Sequence, residues 1–512
     1  MKKLFCCLMI LVLLPLSAGC GGQGGEEHGD PNANQTVPEG SVTLTIEQEA
    51  DNTVFGIGTE LDPHFLAQNV GLSGVSEIGS WECREEDWDL FVGRMREMNL
   101  KRIRVMLLPS WFAPEKEIYE NGNYDWDSAE MESLYLVLDT ALELGMKVNI
   151  TLWGADCAWL KEPGDSGWAS YPRESEETAF VTLFAHCIRY LREEKNYSNI
   201  TEVTLFNEPN SYFTWNNANQ DYCDLCREMD ASFREAGIRN DVLFNLSDDA
   251  RSATWLAQTL YNLEGIVDVV NSHTYSFGDT YDFETDTTIR DMSNADICYN
   301  LPNYNLALYR EMRSGYEDIP HIWGEFGTKN NSGSHMTFDK YLPDRGLEIA
   351  RIALNMFNMG SSGVSYWVLF SQYYNRSDFN NNYIMDMGLW GFADEGYACR
   401  PVYYAFSMLT RFVEEADEIY TIESGDENIV ATAFRRGDQW TYCVVNNGDV
   451  SKQISFLNRT KFPSEMARYV YDEANVPTDN KVIPSNGRVT ADGRVLTDTV
   501  GPRSFVVYTD KD

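Results

Sequence analysis

The sequence predicts an α/β protein, a (β/α)₈ TIM barrel followed by a small antiparallel β-sandwich domain. Eight short apolar runs alternate with amphipathic helical patterns between about residues 53 and 412. After residue 413 the pattern changes to short strands of alternating polarity. At 512 residues and 43% hydrophobic content, the chain is long enough to bury one large core and a smaller second one.

The eight apolar runs are the candidate barrel strands. Their near-continuous hydrophobicity is typical of parallel strands that are buried on both faces. They cover residues 54–61, 102–109, 147–153, 202–206, 242–247, 267–273, 320–326 and 363–370. No glycine-rich phosphate-binding turn follows the first run, so the pattern favours a closed barrel over an open doubly wound sheet.

Amphipathic patterns between these runs predict the outer helices. In residues 84–100 apolar side chains recur at helical spacing, namely Trp88, Phe91, Met95 and Met98. Residues 130–145 form a second such pattern, which ends at Gly145 as expected of a helix C-cap.

The last part of the chain has the pattern of antiparallel strands. Residues 428–456 alternate in polarity and turn at Gly437 and Asp438 like a hairpin, and residues 503–509 form a closing strand. Residues 41–47 are a candidate extra strand for the same domain. We expect this domain to brace the barrel.

The first residues have the layout of a secretory signal. Two lysines precede an apolar run over residues 4–16, and small residues then lead to Cys20. The sequence around Cys20 resembles the bacterial lipobox, which implies lipidation of this cysteine and an extracytoplasmic protein anchored to the cell-envelope membrane. A plain cleaved signal and an uncleaved anchor remain alternatives. The predicted segments are a signal peptide (1–19), a flexible Gly-rich linker (20–40), the barrel (41–412) and the β-sandwich (413–512).

The strongly acidic composition limits the partners that the chain can bind. Its formal net charge is −39, and no basic stripe compensates for it. A surface of this charge repels nucleic acid and polyanionic polysaccharides and favours neutral substrates. Solubility alone is an alternative explanation of the charge.

The eleven cysteines do not form a recognisable disulfide framework or metal site. Cys223 and Cys226 form a lone CxxC inside a helical pattern, without a second pair or a histidine at ligand spacing. We expect packed thiols, with one disulfide as an open alternative, and neither a metal nor another cofactor.

Two glutamates stand where barrel strands end. Glu208 lies just past the fourth strand in TLFNEPN, and Glu325 ends the seventh strand in IWGEFGT. Side chains at the C-terminal ends of barrel strands meet over one mouth. Two carboxyls in one cleft can cleave a glycosidic bond, because one protonates the leaving oxygen while the other attacks the anomeric carbon.

Four motifs occur in order along the strands: TLFNEPN, NSHTY, IWGEFGT and GVSYWVLF. Together they resemble clan A of the glycoside hydrolases, a group of retaining (β/α)₈ enzymes. The resemblance implies that Glu208 is the acid/base and Glu325 the nucleophile. It also implies that Asn207 holds the sugar 2-hydroxyl.

The same resemblance assigns further substrate-binding residues. His273 and Tyr275 match the clan's His-x-Tyr, with the tyrosine placed to hydrogen-bond the nucleophile. Trp367 matches the tryptophan that forms a floor for the sugar. Arg104 matches the arginine of the second strand, whose charge favours an ionised nucleophile. For His273 and Trp367 a plain core position remains an alternative.

The resemblance does not fix the family within the clan. IWGEFGT contains the GEFG that family 5 enzymes carry at the nucleophile and that family 30 does not usually present. Trp153, however, stands at the end of the third strand, where family 5 enzymes usually carry a histidine, and residues 151–161 look more like the corresponding loop of family 30. Candidate aromatic residues for stacking on sugars, or for plain packing, are Trp111, Trp153, Trp159, Trp215 and Tyr374.

We therefore expect a retaining glycoside hydrolase acting on neutral β-linked oligo- or polysaccharides, with no obligate protein partner. Two alternatives remain open. One is a transglycosidase with the same site, and the other is a non-catalytic surface lipoprotein that captures glycans.

Overall fold

The computed structural model describes residues 37–46, 49–66, 85–167, 169–250, 252–276, 279–282, 287–290, 319–328, 342–371, 387–392 and 395–511. The predicted signal peptide (1–19), Cys20, the linker up to residue 36, and Tyr374 lie outside these residues. Within them, no helix combines the length and apolarity needed to cross a bilayer.

Eight parallel strands close into a barrel in which each strand pairs with its neighbours in chain order and the last pairs with the first. They are β1 (Gly56–Leu61), β2 (Arg102–Leu107), β3 (Lys147–Leu152), β4 (Ile200–Leu205), β5 (Leu243–Ala250), β6 (Val269–Ser276), β7 (His321–Thr328) and β8 (Gly363–Tyr366). All eight predicted strands are present. A two-stranded antiparallel ribbon, Asp279–Asp282 with Thr287–Arg290, follows β6.

Helices surround the barrel. The described α-helices are Glu85–Glu97, Lys116–Asn121, Ala129–Glu143, Glu177–Arg189, Pro209–Tyr212, Ala218–Glu235, Ala253–Asn262, Asp344–Asn358 and Pro401–Phe412. Local sequence explains their ends. Ser128 caps Ala129–Glu143 by accepting a hydrogen bond from the Met131 amide, and Gly145 adopts the left-handed conformation just beyond the helix.

The C-terminal part is a sandwich of two sheets. One sheet has seven strands in the order Arg488–Thr490, Glu465–Tyr471, Ser504–Thr509, Gln439–Asn446, Ile429–Arg436, Glu418–Ile422 and Asn52–Thr53. The other sheet has three strands, in the order Val42–Thr45, Lys452–Leu457 and Val495–Val500. The predicted hairpin at Gly437 is present, and the segment near residue 42 supplies a strand to this sandwich. The prediction of a TIM barrel with a β-sandwich domain is confirmed.

The large sheet of the sandwich is buried on both faces. Val444 and Val506 pack into the core between the two sheets. Their neighbours Cys443, Val445 and Val507 point to the opposite face and belong to the cluster that includes the barrel core. Because side chains alternate along a strand, these strands join the two cores.

All cysteines in the described segments are buried and free, namely Cys157, Cys187, Cys223, Cys226, Cys399 and Cys443. The two cysteines of the CxxC pair therefore lie on the buried face of the helix Ala218–Glu235 as free thiols.

Candidate active site

The two glutamates predicted to act together lie side by side at one end of the barrel. A carboxylate oxygen of Glu208, one of Glu325 and a ring nitrogen of His273 all lie within 4.8 Å of one another. The Glu208 side chain is 21% exposed, whereas that of Glu325 is only 5% exposed. Glu208 therefore stands closer to solvent, and Glu325 lies deeper in the site.

Both oxygens of Glu325 are held by donors. Arg104 Nη1 donates to Oε1 at 2.8 Å, and the Tyr275 hydroxyl donates to Oε2. His273 Nδ1 lies 3.4 Å from Oε1. These contacts fix the orientation of the carboxylate and face its negative charge with positive or donor groups.

Arg104 is the fully buried centre of the network. Its guanidinium contacts Glu60 and Glu325 through Nη1, and it donates through Nη2 to Asn207 Oδ1 at 2.9 Å and to Asp248 Oδ2 at 2.7 Å. Burial alone lowers an arginine pKa. Here the carboxylates, Asp248 first, outweigh that effect and raise the pKa of Arg104 well above its usual value.

Arg104 also lies over the ring of Trp153, 5.2 Å from its centroid. Trp153 is packed against the barrel core. It therefore supports the arginine from below, as a cation–π partner.

Asp248, at the end of β5, was not among the predicted site residues. One of its oxygens accepts from Arg104, and the other lies 3.1 Å from His273 Nε2 and also accepts from Asn271 Nδ2. Burial opposes ionisation of Asp248, but Arg104 and His273 outweigh it, so the pKa of this carboxyl is lowered. A buried carboxylate thus connects the arginine to the histidine.

His273 bridges the two halves of the site. Its Nδ1 lies 3.2 Å from Glu208 Oε1, in addition to its contact with Glu325. Burial lowers a histidine pKa. The charges of Glu325 and then Asp248 outweigh burial here and raise the pKa of His273 well above its usual value. These charges therefore favour the protonated imidazole, in which both ring nitrogens are hydrogen-bond donors.

Glu208, His273 and Glu325 also have the spacing of a potential metal-binding group. A histidine binds a metal through the lone pair of a neutral ring nitrogen. Binding of a metal by this set would therefore require His273 to lose the proton that the neighbouring carboxylates favour.

Glu60, in β1, is a second residue that the predictions missed. It is fully buried and contacts Arg104. Burial first, and the nearby Glu325 charge, raise its pKa well above the usual value in spite of Arg104. This direction favours the neutral form of Glu60 and leaves Asp248 and Glu325 as the carboxylates that face Arg104 and His273.

Backbone geometry aims the acidic side chains. Glu208 (φ 44°) and Asp248 (φ 48°) both adopt the left-handed conformation, which is rare outside glycine. The Glu208 amide donates to the Asp248 carbonyl at 3.0 Å. The ends of β4 and β5 are therefore tied together at the point where both side chains enter the site.

The remaining predicted residues have different surroundings. Trp367, after β8, is buried and makes an edge-to-face contact with Tyr275, with ring centroids 6.3 Å apart. Trp111 is buried in the core. Trp159 stacks on Tyr119. The structure brings all eight predicted barrel residues into one connected group, namely Arg104, Trp153, Asn207, Glu208, His273, Tyr275, Glu325 and Trp367.

No family model matches the chain, and no significant match is found among curated proteins. Solved structures do match. A GH30 endoxylanase from Clostridium papyrosolvens aligns with 92% of this chain and 100% of its own, with a TM-score of 0.63 and 11% identity. The chain has the fold of glycoside hydrolases.

Two further solved structures match over a similar share of this chain. A GH39 enzyme from Xanthomonas axonopodis pv. citri covers 92% of this chain and 99% of its own, with a TM-score of 0.61 and 15% identity. An endo-β-1,6-glucanase covers 93% of this chain and 96% of its own, with the same TM-score and identity. The neighbours thus span different named families of clan A and share its eight-stranded barrel.

Proposed function

We propose that this protein is a retaining glycoside hydrolase that cleaves β-linkages in neutral oligo- or polysaccharides. The observation that carries the proposal is the carboxylate pair, because Glu208 and Glu325 present oxygens within 4.8 Å of each other. Retaining glycosidases hold their two carboxyls about 5–5.5 Å apart, whereas inverting enzymes need about 6.5–9.5 Å to admit a water. The glycosidase neighbours support the same reaction class.

The first step forms a covalent intermediate. A sugar rests on Trp367, and Asn207, whose Oδ1 is held by Arg104, offers its Nδ2 to the 2-hydroxyl. Glu325 attacks the anomeric carbon as the bond to the leaving oxygen breaks, and Glu208 gives that oxygen its proton. The products of this step are a glycosyl ester on Glu325 and a free alcohol.

The second step releases the sugar. Glu208, now a carboxylate, takes a proton from water, the water oxygen attacks the anomeric carbon, and the ester bond to Glu325 breaks. Two inversions give net retention of the anomeric configuration.

His273 suits this exchange of charge between the glutamates. Its Nδ1 lies 3.2 Å from Glu208 Oε1 and 3.4 Å from Glu325 Oε1. When Glu325 becomes an ester and Glu208 becomes charged, the same N–H can pair with the newly charged carboxylate. The buried positive charge therefore keeps a partner in both steps.

Hydrolysis assays test the proposal. Purified residues 21–512 are assayed on aryl β-glycosides and on neutral β-glucans, xylans and mannans. We expect activity on one class and a loss of roughly a thousandfold or more in Glu325→Gln, which keeps the size of the nucleophile but not its charge. Glu208→Ala is expected to lose most activity on substrates with poor leaving groups.

The matched control is Glu132→Gln, an exposed glutamate on the helix Ala129–Glu143. It should retain full activity. Wild-type rates in both active-site variants would refute the proposal, and binding of glycans without any hydrolysis would favour the glycan-capturing lipoprotein. Sugar acceptors that outcompete water would indicate a transglycosidase.

We further propose, from the sequence alone, that Cys20 is lipidated and anchors the enzyme to the bacterial cell envelope. In the producing cell, Cys20→Ser should move the protein from the membrane fraction to the soluble fraction. An unchanged distribution would contradict the anchor.

A further inference from the structure

One wall of a cleft begins at Tyr212, four residues after Glu208 in the chain. The cleft has a volume of about 550 Å³ and lies between the loop that follows β3 and the segment that follows β4. One side is lined by residues from 162–167 and 169–177, and the other by residues from 212–221. None of these residues has a part in the catalytic network described above.

Two exposed aromatic side chains line this cleft. In the described segments the exposed aromatic residues are Tyr212 (56% exposed), Trp215 (43%) and Tyr261 (60%), and the first two share the cleft. Single exposed apolar side chains are common on protein surfaces. A pair in one concave surface beside a catalytic carboxyl is more specific, because aromatic faces stack on the apolar C–H faces of sugars.

Trp215 is held in position. Its Nε1 donates to Asp221 Oδ2 at 2.7 Å, and its ring packs edge-to-face on Tyr171 with centroids 5.4 Å apart. Phe213 packs against it at 5.2 Å. The indole is therefore fixed while much of its surface stays accessible, so little conformational entropy is lost when a ligand stacks on it.

The position of Tyr212 identifies which part of a substrate meets the cleft. Tyr212 ends the short helix Pro209–Tyr212, which starts directly after Glu208. Although its ring is more than half exposed, the surrounding protein, then the charge of Glu208 and then that of Glu325, raise its pKa to about 12. Glu208 protonates the oxygen of the departing sugar, so a surface that continues from Glu208 lies on the leaving-group side.

The charge of the cleft favours a neutral ligand. Its carboxyl side chains are Glu162, Asp165, Glu174, Glu177 and Asp221. They outnumber the one arginine in the lining, Arg173, which already pairs with Glu176. A sugar with its own carboxylate would be repelled here.

We propose that Tyr212 and Trp215 form a leaving-group subsite, which stacks a neutral sugar of the substrate chain next to the bond that is cleaved. This inference rests on the proposed function. It implies that the protein prefers oligosaccharide chains to substrates with a minimal leaving group.

The test compares two leaving groups on the same enzyme. Xylotetraose, cellotetraose, gentiotetraose and mannotetraose supply a sugar to the subsite, whereas the matching β-xylosyl, β-glucosyl and β-mannosyl fluorides supply only fluoride. In Trp215→Ala and in Tyr212→Ala, the ratio of kcat/KM for the tetrasaccharide to kcat/KM for the fluoride should fall about tenfold. The control is Tyr261→Ala, which removes an exposed aromatic ring outside the cleft and should leave this ratio unchanged.

The outcomes separate this inference from the proposed function. If the wild-type protein hydrolyses both kinds of substrate but the ratio in Trp215→Ala and Tyr212→Ala stays within about twofold of wild type, the subsite is refuted and the glycosidase stands. Hydrolysis of a fluoride but of no tetrasaccharide would also refute the subsite. If the wild-type protein hydrolyses no fluoride and no tetrasaccharide, the proposed function fails and the subsite fails with it.

Discussion

At the scale of single residues, His273 has the most consequential position in the site. Its Nε2 lies 3.1 Å from Asp248 and its Nδ1 faces both catalytic glutamates. The residue is fully buried, and its pKa is raised because nearby carboxylates outweigh the cost of burial. Its positive charge should therefore stabilise both the fold and the site.

The stability contributed by His273 should depend on pH. A histidine whose folded pKa is raised contributes stability that is fully present below its unfolded pKa of about 6.5 and is lost as the pH rises through the folded pKa. We expect the difference in unfolding free energy between wild type and His273→Gln to be largest at the acidic end of the range, below about pH 6, and to shrink above about pH 6.5. Urea unfolding from pH 5 to 9 measures it, and a difference that grows with pH would contradict the raised pKa.

Asp248 should control that pH range. Asp248→Asn keeps the shape of the side chain and removes one charge that holds the proton on His273. The variant should show a lower His273 pKa by NMR titration, and a kcat/KM that falls at lower pH than in the wild type. An unchanged titration of His273 would show that Glu325 alone holds the proton.

The role of Asp248 could not be predicted from the sequence. Glu208 and Glu325 stand in recognisable motifs, but Asp248 is one of two adjacent aspartates in SDDA, and only the strand pairing places it between Arg104 and His273. Glu60 left a usable signal, since it is a single acid inside the apolar run VFGIGTEL. A carboxyl in a strand buried on both faces requires a partner.

At the scale of elements, the strand that carries Glu325 is positioned by a glycine. Gly324 donates its amide to Asn271 Oδ1 at 2.8 Å, and the pairing of β7 with β6 shifts register at this point. A Cβ on Gly324 would lie 2.2 Å from that oxygen. Since Asn271 also donates to Asp248, this close approach connects the β7 backbone to the charged network.

Alanine at Gly324 should therefore destabilise the protein and disturb the site. We expect Gly324→Ala to cost about 1–3 kcal/mol in unfolding free energy, because the backbone must move away from Asn271. Gly93→Ala is the matched control. Gly93 lies in the helix Glu85–Glu97 with open space around its Cβ position, so alanine there should stabilise by about 0.5–1 kcal/mol. Equal effects of both substitutions in guanidinium unfolding would contradict this account.

The barrel strands were predictable from the sequence for a physical reason. A strand covered by helices outside and by side chains inside is buried at every position, as β1 and β2 are, so it consists mainly of apolar residues and its few charged ones, such as Glu60 and Arg104, pair inside the barrel. The short helix Pro209–Tyr212 and the cleft beside it were not predictable, since they depend on the left-handed turn at Glu208. Trp215 and Trp111 are both candidate stacking residues by sequence. The residues around them do not reveal that Trp215 is exposed and Trp111 is buried.

At the scale of the whole molecule, the barrel and the β-sandwich share buried surface. Alternate residues of Gln439–Asn446 and Ser504–Thr509 pack into the two cores. Polar contacts add to this, because Asn358 Nδ2 donates to the Ala431 carbonyl at 2.9 Å and Thr432 donates to Asn358 Oδ1 at 2.8 Å. Neither part can lose the other without exposing apolar strand faces.

We therefore expect one cooperative unfolding transition. In scanning calorimetry the calorimetric and van't Hoff enthalpies should agree, and hydrogen exchange should protect Ser504–Thr509 of the sandwich as strongly as Lys147–Leu152 of the barrel. Two separate transitions, or a sandwich that exchanges at a much lower opening free energy, would show that the domains are independent.

In the proposed mechanism Glu325 forms a covalent bond with the sugar while Glu208 transfers the proton. The most direct measurement is peptide mass spectrometry after reaction with 2-deoxy-2-fluoro-β-glucosyl and β-xylosyl fluorides, whose electron-withdrawing fluorine slows release of the sugar from the enzyme. We expect one adduct, located on Glu325 and absent from Glu325→Gln. An adduct on Glu208 instead, or turnover of natural substrate with the α-anomer formed first and no adduct, would contradict it.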